Sequence, residues 1–386
     1  MKYDFDEIIS RRNSNSYKWD AVMEEGVLPM WVADMDFRTA PAGIEALEKR
    51  VKHGIFGYVK TPETYYASII GWFQRRHGLT IEKEWILHTT GVVPALSVIV
   101  KSLTAPGDKI LIQTPVYNCF FSVIRNNGRE IVTNSLIYEN GTYRIDFGDL
   151  EKKAADPQVK LLLLCNPHNP AGRVWIRQEL LRLGEICLRN NVRIIADEIH
   201  CELVAPGHKY LPFASLSGEF LQHSVTCTSP SKAFNLAGLQ VANIFAADEE
   251  TRNKINQTLK ANELAALNSF ATESLIAAYD NGEEWLDELN RYIHDNYLYL
   301  KDFFHRHLPR LTVLPLEGTY LAWIDCSATG QTSGEIARTL LEKEKLWINP
   351  GSMYGPEGDN FIRLNIACPR TLLTEGLEKI KHCFSK

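Results

Sequence analysis

Three short strand-like runs, Leu161 to Leu164, Arg193 to Ala196 and Val225 to Thr228, each break off into a polar motif, and that repeat narrows the folds open to this chain. Brief runs with little polar alternation mark strands buried on both faces. Amphipathic helical patterns precede them at Ala42 to Lys52, Ile69 to Arg76, Val93 to Leu103 and Tyr117 to Asn126. Strand patterns also cover Lys109 to Gln113 and Glu130 to Val132, the first following a turn at Ala105 to Asp108. Such a βα succession builds a mainly parallel sheet with helices on both faces, and its functional groups gather at the carboxyl ends of the strands. The expected fold class is α/β.

Near residue 285 the pattern changes to a long charged helix, Trp285 to Leu308, rich in tyrosine. Beyond it lie strand patterns at Leu311 to Leu314, Tyr320 to Ile324, Leu346 to Ile348 and Phe361 to Ala367, with a helix from Ser333 to Lys343. That is the composition of a compact α+β unit. A chain of 386 residues exceeds one ordinary core. We therefore expect a large domain over 46–285 and a smaller one from 1–45 plus 286–386, with the long helix as the hinge.

The polar motifs carry chemistry. Lys232 sits in Ser229-Pro-Ser-Lys-Ala-Phe-Asn, directly after the third run. An amine on a tight loop between hydroxyls can condense with the carbonyl of pyridoxal phosphate, while Ser229 and Ser231 can hold the phosphate. An exposed lysine in a polar turn is the alternative. Asp197 ends the second run, where a buried carboxylate would keep the cofactor's ring nitrogen protonated, or would merely cap the next helix. The first run enters Asn166-Pro-His-Asn-Pro-Ala-Gly172, whose Asn-Pro pairs impose extended or cis geometry; Asn169 is suited to donate to the cofactor's phenolic oxygen.

Taken in order, Asn-Pro-His-Asn-Pro-Ala-Gly, Ala-Asp-Glu-Ile-His and Ser-Pro-Ser-Lys resemble the fold type I pyridoxal-phosphate enzymes of the aspartate aminotransferase superfamily. Within it, Met30-Trp-Val-Ala-Asp-Met-Asp-Phe37 and Lys232-Ala-Phe-Asn-Leu-Ala-Gly-Leu-Gln240 resemble the carbon–sulfur lyase branch, the MalY/PatB-type cystathionine β-lyases. The resemblance runs from about Asp4 to the C-terminus. It implies a fold type I transferase with a mainly parallel sheet in the large domain and a smaller α+β domain. It also implies β-elimination of cystathionine or a related cysteine S-conjugate to pyruvate, ammonia and a thiol.

Further residues take expected roles from the same resemblance. Tyr117 matches the tyrosine that stacks on the cofactor ring, although a core aromatic would look the same. Arg363, inside an apolar strand, matches the arginine that binds the substrate α-carboxylate, with Asn169 beside it; a structural ion pair is the alternative. Tyr58, in Phe-Gly-Tyr, matches a tyrosine that reaches the neighbouring subunit's phosphate, which implies a homodimer with shared active sites. At Thr89-Thr-Gly-Val-Val-Pro94, Gly91 would let the backbone approach the phosphate, and the amides of Val92 and Val93 would point at it from a helix N-terminus. Two positions depart from the aminotransferase pattern: His200 stands where a tyrosine is usual, and Gln240 where a phosphate-binding arginine is usual. His200 would donate to the cofactor or fill space. An aminotransferase, or a regulatory protein that keeps the pocket, is the competing reading.

Composition excludes other classes. A net charge of −5 with scattered basic residues recruits neither nucleic acid nor an anionic membrane. The longest apolar stretch, Val92 to Val100, contains Pro94 and is too short to cross a bilayer. The acidic start of the sequence has no apolar signal core, and the eight cysteines lie singly, so reduced thiols in the cytoplasm are expected. His305 and His307 are badly spaced for a shared ion, and no metal is expected.

Overall fold

A computed structural model describes residues 2–21 and 24–384; the outermost ends of the expected small domain, Met1 and residues 385–386, lie outside them, as do residues 22–23. The frame is a seven-stranded sheet in the spatial order Ile86–Thr89, Ala242–Phe245, Ser224–Thr228, Arg193–Asp197, Val159–Cys165, Lys109–Ile112, Glu130–Thr133. Neighbours from Ser224–Thr228 through Glu130–Thr133 run parallel. Ala242–Phe245 is antiparallel to both of its neighbours. The strand Val159–Cys165 is buried over its last five residues, which is why its sequence is a continuous apolar run rather than an alternating one.

Several elements have no clear sequence signal. The helix Ser269–Asn281 buries eight of its thirteen residues, many of them small, so no single apolar stripe marks it. The helix Glu249–Ala261 buries only Thr251, Ile255 and Leu259, a thin stripe at four-residue spacing. Ala242–Phe245 carries a buried asparagine, Asn243, which accepts the Tyr65 hydroxyl at 2.6 Å. The terminal helix Arg370–Phe384 and the hairpin Ile137–Glu139 with Thr142–Arg144 also went unread. The helix expected from Tyr117 begins at Cys119, leaving Tyr117 in the lead-in loop.

A second, four-stranded antiparallel sheet runs in the order Thr312–Val313, Leu321–Asp325, Phe361–Asn365, Asn349–Pro350. The long helix spans Glu283–His307 and buries Leu286, Leu289, Ile293 and Leu300 along one face. Its Asn296 caps the carbonyls of Ile366 and Cys368, both at 2.9 Å. One apolar cluster joins Trp72 and Phe234 beside the large sheet to Leu289, Tyr320, Leu364 and Leu373 beside the small one. The N-terminal segment crosses between the two. Leu28–Pro29 pairs in parallel with Leu346–Trp347, and the residues that follow form a strap against the ends of both sheets.

That strap is fixed through its backbone. The Asn365 amide donates to the carbonyls of Val32 and Asp34 at 2.7 and 2.6 Å. Asn235 bonds the Met35 amide and carbonyl and the Phe37 carbonyl, all at 3.0 Å. A half-enclosed ion cluster adds to this. Lys18, 1% exposed, pairs with Asp36 at 2.7 Å, and Arg11 reaches Asp34 and Asp36 at 2.7 and 2.8 Å. Among the described residues, no helix is long and apolar enough to cross a membrane.

Candidate active site

The parallel register brings Cys165, Asp197 and Cys227 side by side at the carboxyl ends of three adjacent strands. Asp197 is therefore flanked by thiols along the sheet. Burial pushes its carboxyl up to about 7, against the opposing pull of the Ile199 amide, which donates at 3.2 Å, and of Lys232. Five residues past Cys227 the chain turns and returns Lys232 to the same place. The Lys232 amine donates to the Ala33 carbonyl at 2.5 Å, and burial draws its ammonium down to about 8 while Asp34 pulls the other way.

These groups border one cavity of about 390 Å³. Of the residues singled out in the sequence, Gly91, Val92, Val93, Tyr117, Asn169, Asp197, His200, Ser231, Lys232 and Arg363 all line it. Arg363 comes from the middle of the small sheet, in register with Trp323 on one side and Asn349 on the other. Its guanidinium donates to Asn169 Oδ1 at 3.1 Å and to the Trp31 carbonyl at 2.7 Å, and lies 4.8 Å from the Tyr354 ring centre. Its Nε has no hydrogen-bond partner among the described residues. A buried guanidinium with donor capacity to spare, facing a cavity, suits a carboxylate ligand. Tyr117 borders the cavity with its phenol shifted up by burial.

The opposite end is built for an anion. The helix Val92–Leu103 starts at Gly91 with no side-chain cap, so the first amides of its opening turn have no partner within the helix. Thr90 and Ser231 add hydroxyls nearby. Gly91 itself is extended, at φ 171, and a Cβ there would meet Pro94 at an ordinary 3.4 Å. The backbone conformation does not itself demand glycine; the absent side chain leaves the cavity wall clear, as a close approach of the phosphate to this backbone requires.

Four other positions differ from the sequence reading or complete it. Ser229 is not among the lining residues: its hydroxyl donates to the Val241 carbonyl at 2.6 Å and accepts the Ser231 amide at 3.0 Å, which ties the turn carrying Lys232. His200 is buried, its Nδ1 unpartnered, and burial together with the Lys232 and Arg363 charges holds the imidazole down to about 3, so it is neutral at physiological pH. Gln240 is exposed, in a left-handed turn at φ 57, away from the cavity lining. Tyr58 is fully exposed, in a stretch with Ile55 and Phe56 also more than half exposed, and does not line this chain's own cavity.

Sequence inspection missed the strap's contribution. Tyr17, Trp31, Val32 and Ala33 line the cavity, as do Asn118, Cys119, Asn349 and Met353. The strap acts mainly through carbonyls, which leave no mark in a sequence. The motif Trp31 to Phe37 was visible only as a family feature. A group containing His77, Cys201 and Glu202, with ligand atoms within 4.8 Å of one another, was also unread. There Glu202 already accepts from Trp72 Nε1 at 2.6 Å and His77 Nε2 at 2.7 Å, and Arg76 stands 3.5 Å away.

The residue set fits pyridoxal phosphate: an amine of lowered basicity, a desolvated carboxylate near it, uncapped helix amides and hydroxyls at one end, and a spare guanidinium at the other. Comparison with known proteins agrees. Residues 26–380 match the family model for aminotransferase class I and II. The chain is 45% identical to the cystathionine beta-lyase PatB of Bacillus subtilis, over 99% of this chain and 100% of that one. It is 34% identical to the protein MalY of Escherichia coli, covering 97% of each. Among solved structures, cystalysin from Treponema denticola, which contains a pyridoxal 5′-phosphate cofactor, superposes with a TM-score of 0.97 at 35% identity, over 100% of this chain and 99% of that one.

Proposed function

The chain belongs to the aminotransferase class I and II family, and on that premise we propose that it is a pyridoxal-phosphate-dependent carbon–sulfur β-lyase. Its reaction takes a cysteine S-conjugate and water to pyruvate, ammonium and a free thiol; with cystathionine the thiol is homocysteine. The observation that carries the reading is the meeting of Lys232, Asp197 and Arg363, from three distant segments, around one cavity in a chain so similar to a cystathionine β-lyase.

When bound, pyridoxal phosphate supplies an electrophilic carbonyl and a ring that accepts the electron pair left at the substrate Cα. Arg363 holds the substrate α-carboxylate and so sets which Cα bond stands across the ring. Lys232, with a basicity lowered toward neutrality, takes the Cα proton. Asp197 keeps a proton on the ring nitrogen by charge pairing in a site too dry for its own ionisation to be favourable otherwise. Asn169 has an amide free to donate to the phenolic oxygen. Tyr117 stacks on the ring, and the amides of Val92 and Val93 with Ser231 hold the phosphate. His200, kept neutral, can donate one hydrogen bond without adding charge.

Tyr58 of the partner subunit completes the phosphate site in a homodimer; the support is its exposure and the exposed Ile55 and Phe56 beside it. The cytoplasm suits a chain whose eight cysteines form no disulfide among the described residues. The division into domains at 46–285 and the remainder follows the two sheets. Purified with pyridoxal phosphate and given L-cystathionine, the protein should release pyruvate and thiol over many cycles with no keto acid added. An aminotransferase stalls after one half-reaction under those conditions. Turnover that requires a keto acid and yields no thiol would establish the aminotransferase reading instead.

A further inference from the structure

Two stretches of the cavity's lining differ in chemistry. On one side, Tyr17 packs against Trp31 with ring centres 5.2 Å apart, and Trp31 stacks on Trp347 at 4.2 Å and 14°. That rim is an aromatic wall. On the other side, Asn118 and Met353 line both the cavity and an outer groove of about 530 Å³, between the helix Cys119–Asn126 and the loop 352–356. The groove and the site share those two residues as wall.

The outer groove is suited to an anion. Arg125 lies on its wall beside Asn126, Ser122 and Ser352, and no acidic residue lines it. Among the described residues the Arg125 guanidinium has no carboxylate partner, and its carbon lies 5.8 Å from the Phe121 ring centre. Glu357, two residues past the groove-lining Gly355, does not itself line the groove and accepts the Thr114 hydroxyl at 3.0 Å. The walls are held in place. The Val116 amide donates to the Tyr354 carbonyl at 2.8 Å, and Ser352 is tied through its amide to Ser333 at 3.2 Å. Within the cavity the lysine and arginine positions are both committed, Lys232 to the cofactor and Arg363 to the α-carboxylate, so a second anionic group on a substrate must find its cation outside.

We infer that Arg125 is the specificity residue for the distal arm of the substrate, and that the enzyme prefers cysteine thioethers whose S-substituent ends in a carboxylate. The inference rests on the lyase reading. Arg363 fixes one end, the sulfur and its methylenes run past Met353 and Asn118, and the far carboxylate meets the Arg125 fork. Because the groove is open to solvent, the contact is modest and weakens with salt.

The test compares two substrates of equal length on the holoenzyme: S-carboxypropyl-L-cysteine, which is cystathionine without its distal amine, and the uncharged S-butyl-L-cysteine. Wild type should favour the carboxylate in kcat/KM, mostly through KM. In Arg125→Gln that preference ratio should fall by about twofold to fivefold, the range of an exposed arginine–carboxylate contact. Arg125→Lys should keep part of it, and raising the salt should shrink the ratio in wild type but not in Arg125→Gln. A ratio equal in wild type and Arg125→Gln, with both substrates cleaved, overturns this assignment and leaves the lyase reading standing. Failure of wild type to cleave either substrate overturns the lyase reading and this inference with it.

Discussion

The two walls of the cavity contribute in different ways. At the ends of the large sheet's strands the working groups are side chains: Asp197 at a strand terminus, Lys232 and Asn169 just beyond two others. On the strap, residues 31–34 contribute the carbonyls of Trp31 and Ala33, which receive Arg363 and Lys232. Strand-end side chains do the proton and charge work. The strap orients them and is itself held by buried amides and an ion cluster. A group of the first kind can be replaced without moving its neighbours; loss of a pin on the strap shifts several groups together.

Substitutions should separate the two walls. The largest effect belongs to Lys232→Ala, where the proton-accepting amine is gone: elimination from L-cystathionine, followed by pyruvate release, should fall by roughly 10⁴-fold, while melting temperature changes little. Arg363→Ala comes next. Truncating one partner of a desolvated charge pair should cost about 2 to 5 kcal/mol in kcat/KM, and a neutral carboxamide analogue of the substrate should lose far less than that.

Asp197 gives a pH test in the cofactor-free protein. Its carboxyl is held at about 7 in the fold, against about 3.9 when unfolded. A raised acid lends stability that is complete below the unfolded value and is lost as pH rises through the folded one. Asp197→Asn should therefore be more stable than wild type at pH 8, by up to about 4 kcal/mol, with the difference closing as pH drops to about 4. Denaturant melts across that range measure it; a constant difference would show that Asp197 is ionised in the fold.

On the strap, Asn365→Ala strands two half-buried carbonyls, those of Val32 and Asp34. We expect a stability loss of about 1 to 3 kcal/mol, with KM raised more than kcat is lowered. The smallest effect is Tyr320→Phe, which removes only the hydroxyl that shares the Ala33 carbonyl at 3.0 Å. That should cost about 0.5 to 1.5 kcal/mol in stability. A fall in kcat as deep as that of Lys232→Ala in either strap variant would erase the distinction between the walls.

The legibility of the two walls follows from the same difference. Lys232, Asp197 and Asn169 stand directly after or at the end of apolar runs, and each side chain has a chemistry that its neighbours do not disguise. Arg363 was readable because an arginine inside an apolar strand needs a partner. Ser229 looked like a phosphate ligand because hydroxyl chemistry is versatile, and only the fold shows it spent on Val241 and the Ser231 amide. Gly91 has a backbone conformation any residue adopts, so what its missing side chain provides is an open cavity wall. The helix Ser269–Asn281 was hidden because burial on most sides removes the periodicity that marks a helix.

By itself the sequence determined the α/β order, the family, the cofactor chemistry and the residues that carry it, because these depend on residue identity and on patterns within a few positions. The tertiary structure decided the rest: that Cys165 and Cys227 flank Asp197, that Ala33 receives Lys232, that Glu202 is already held by Trp72, His77 and Arg76, and that Arg125 lines a groove that shares Asn118 and Met353 with the site. Those properties belong to pairs of residues far apart in the chain. Backbone carbonyls are identical in every residue, and desolvation depends on what is packed alongside, so only the folded arrangement could set them.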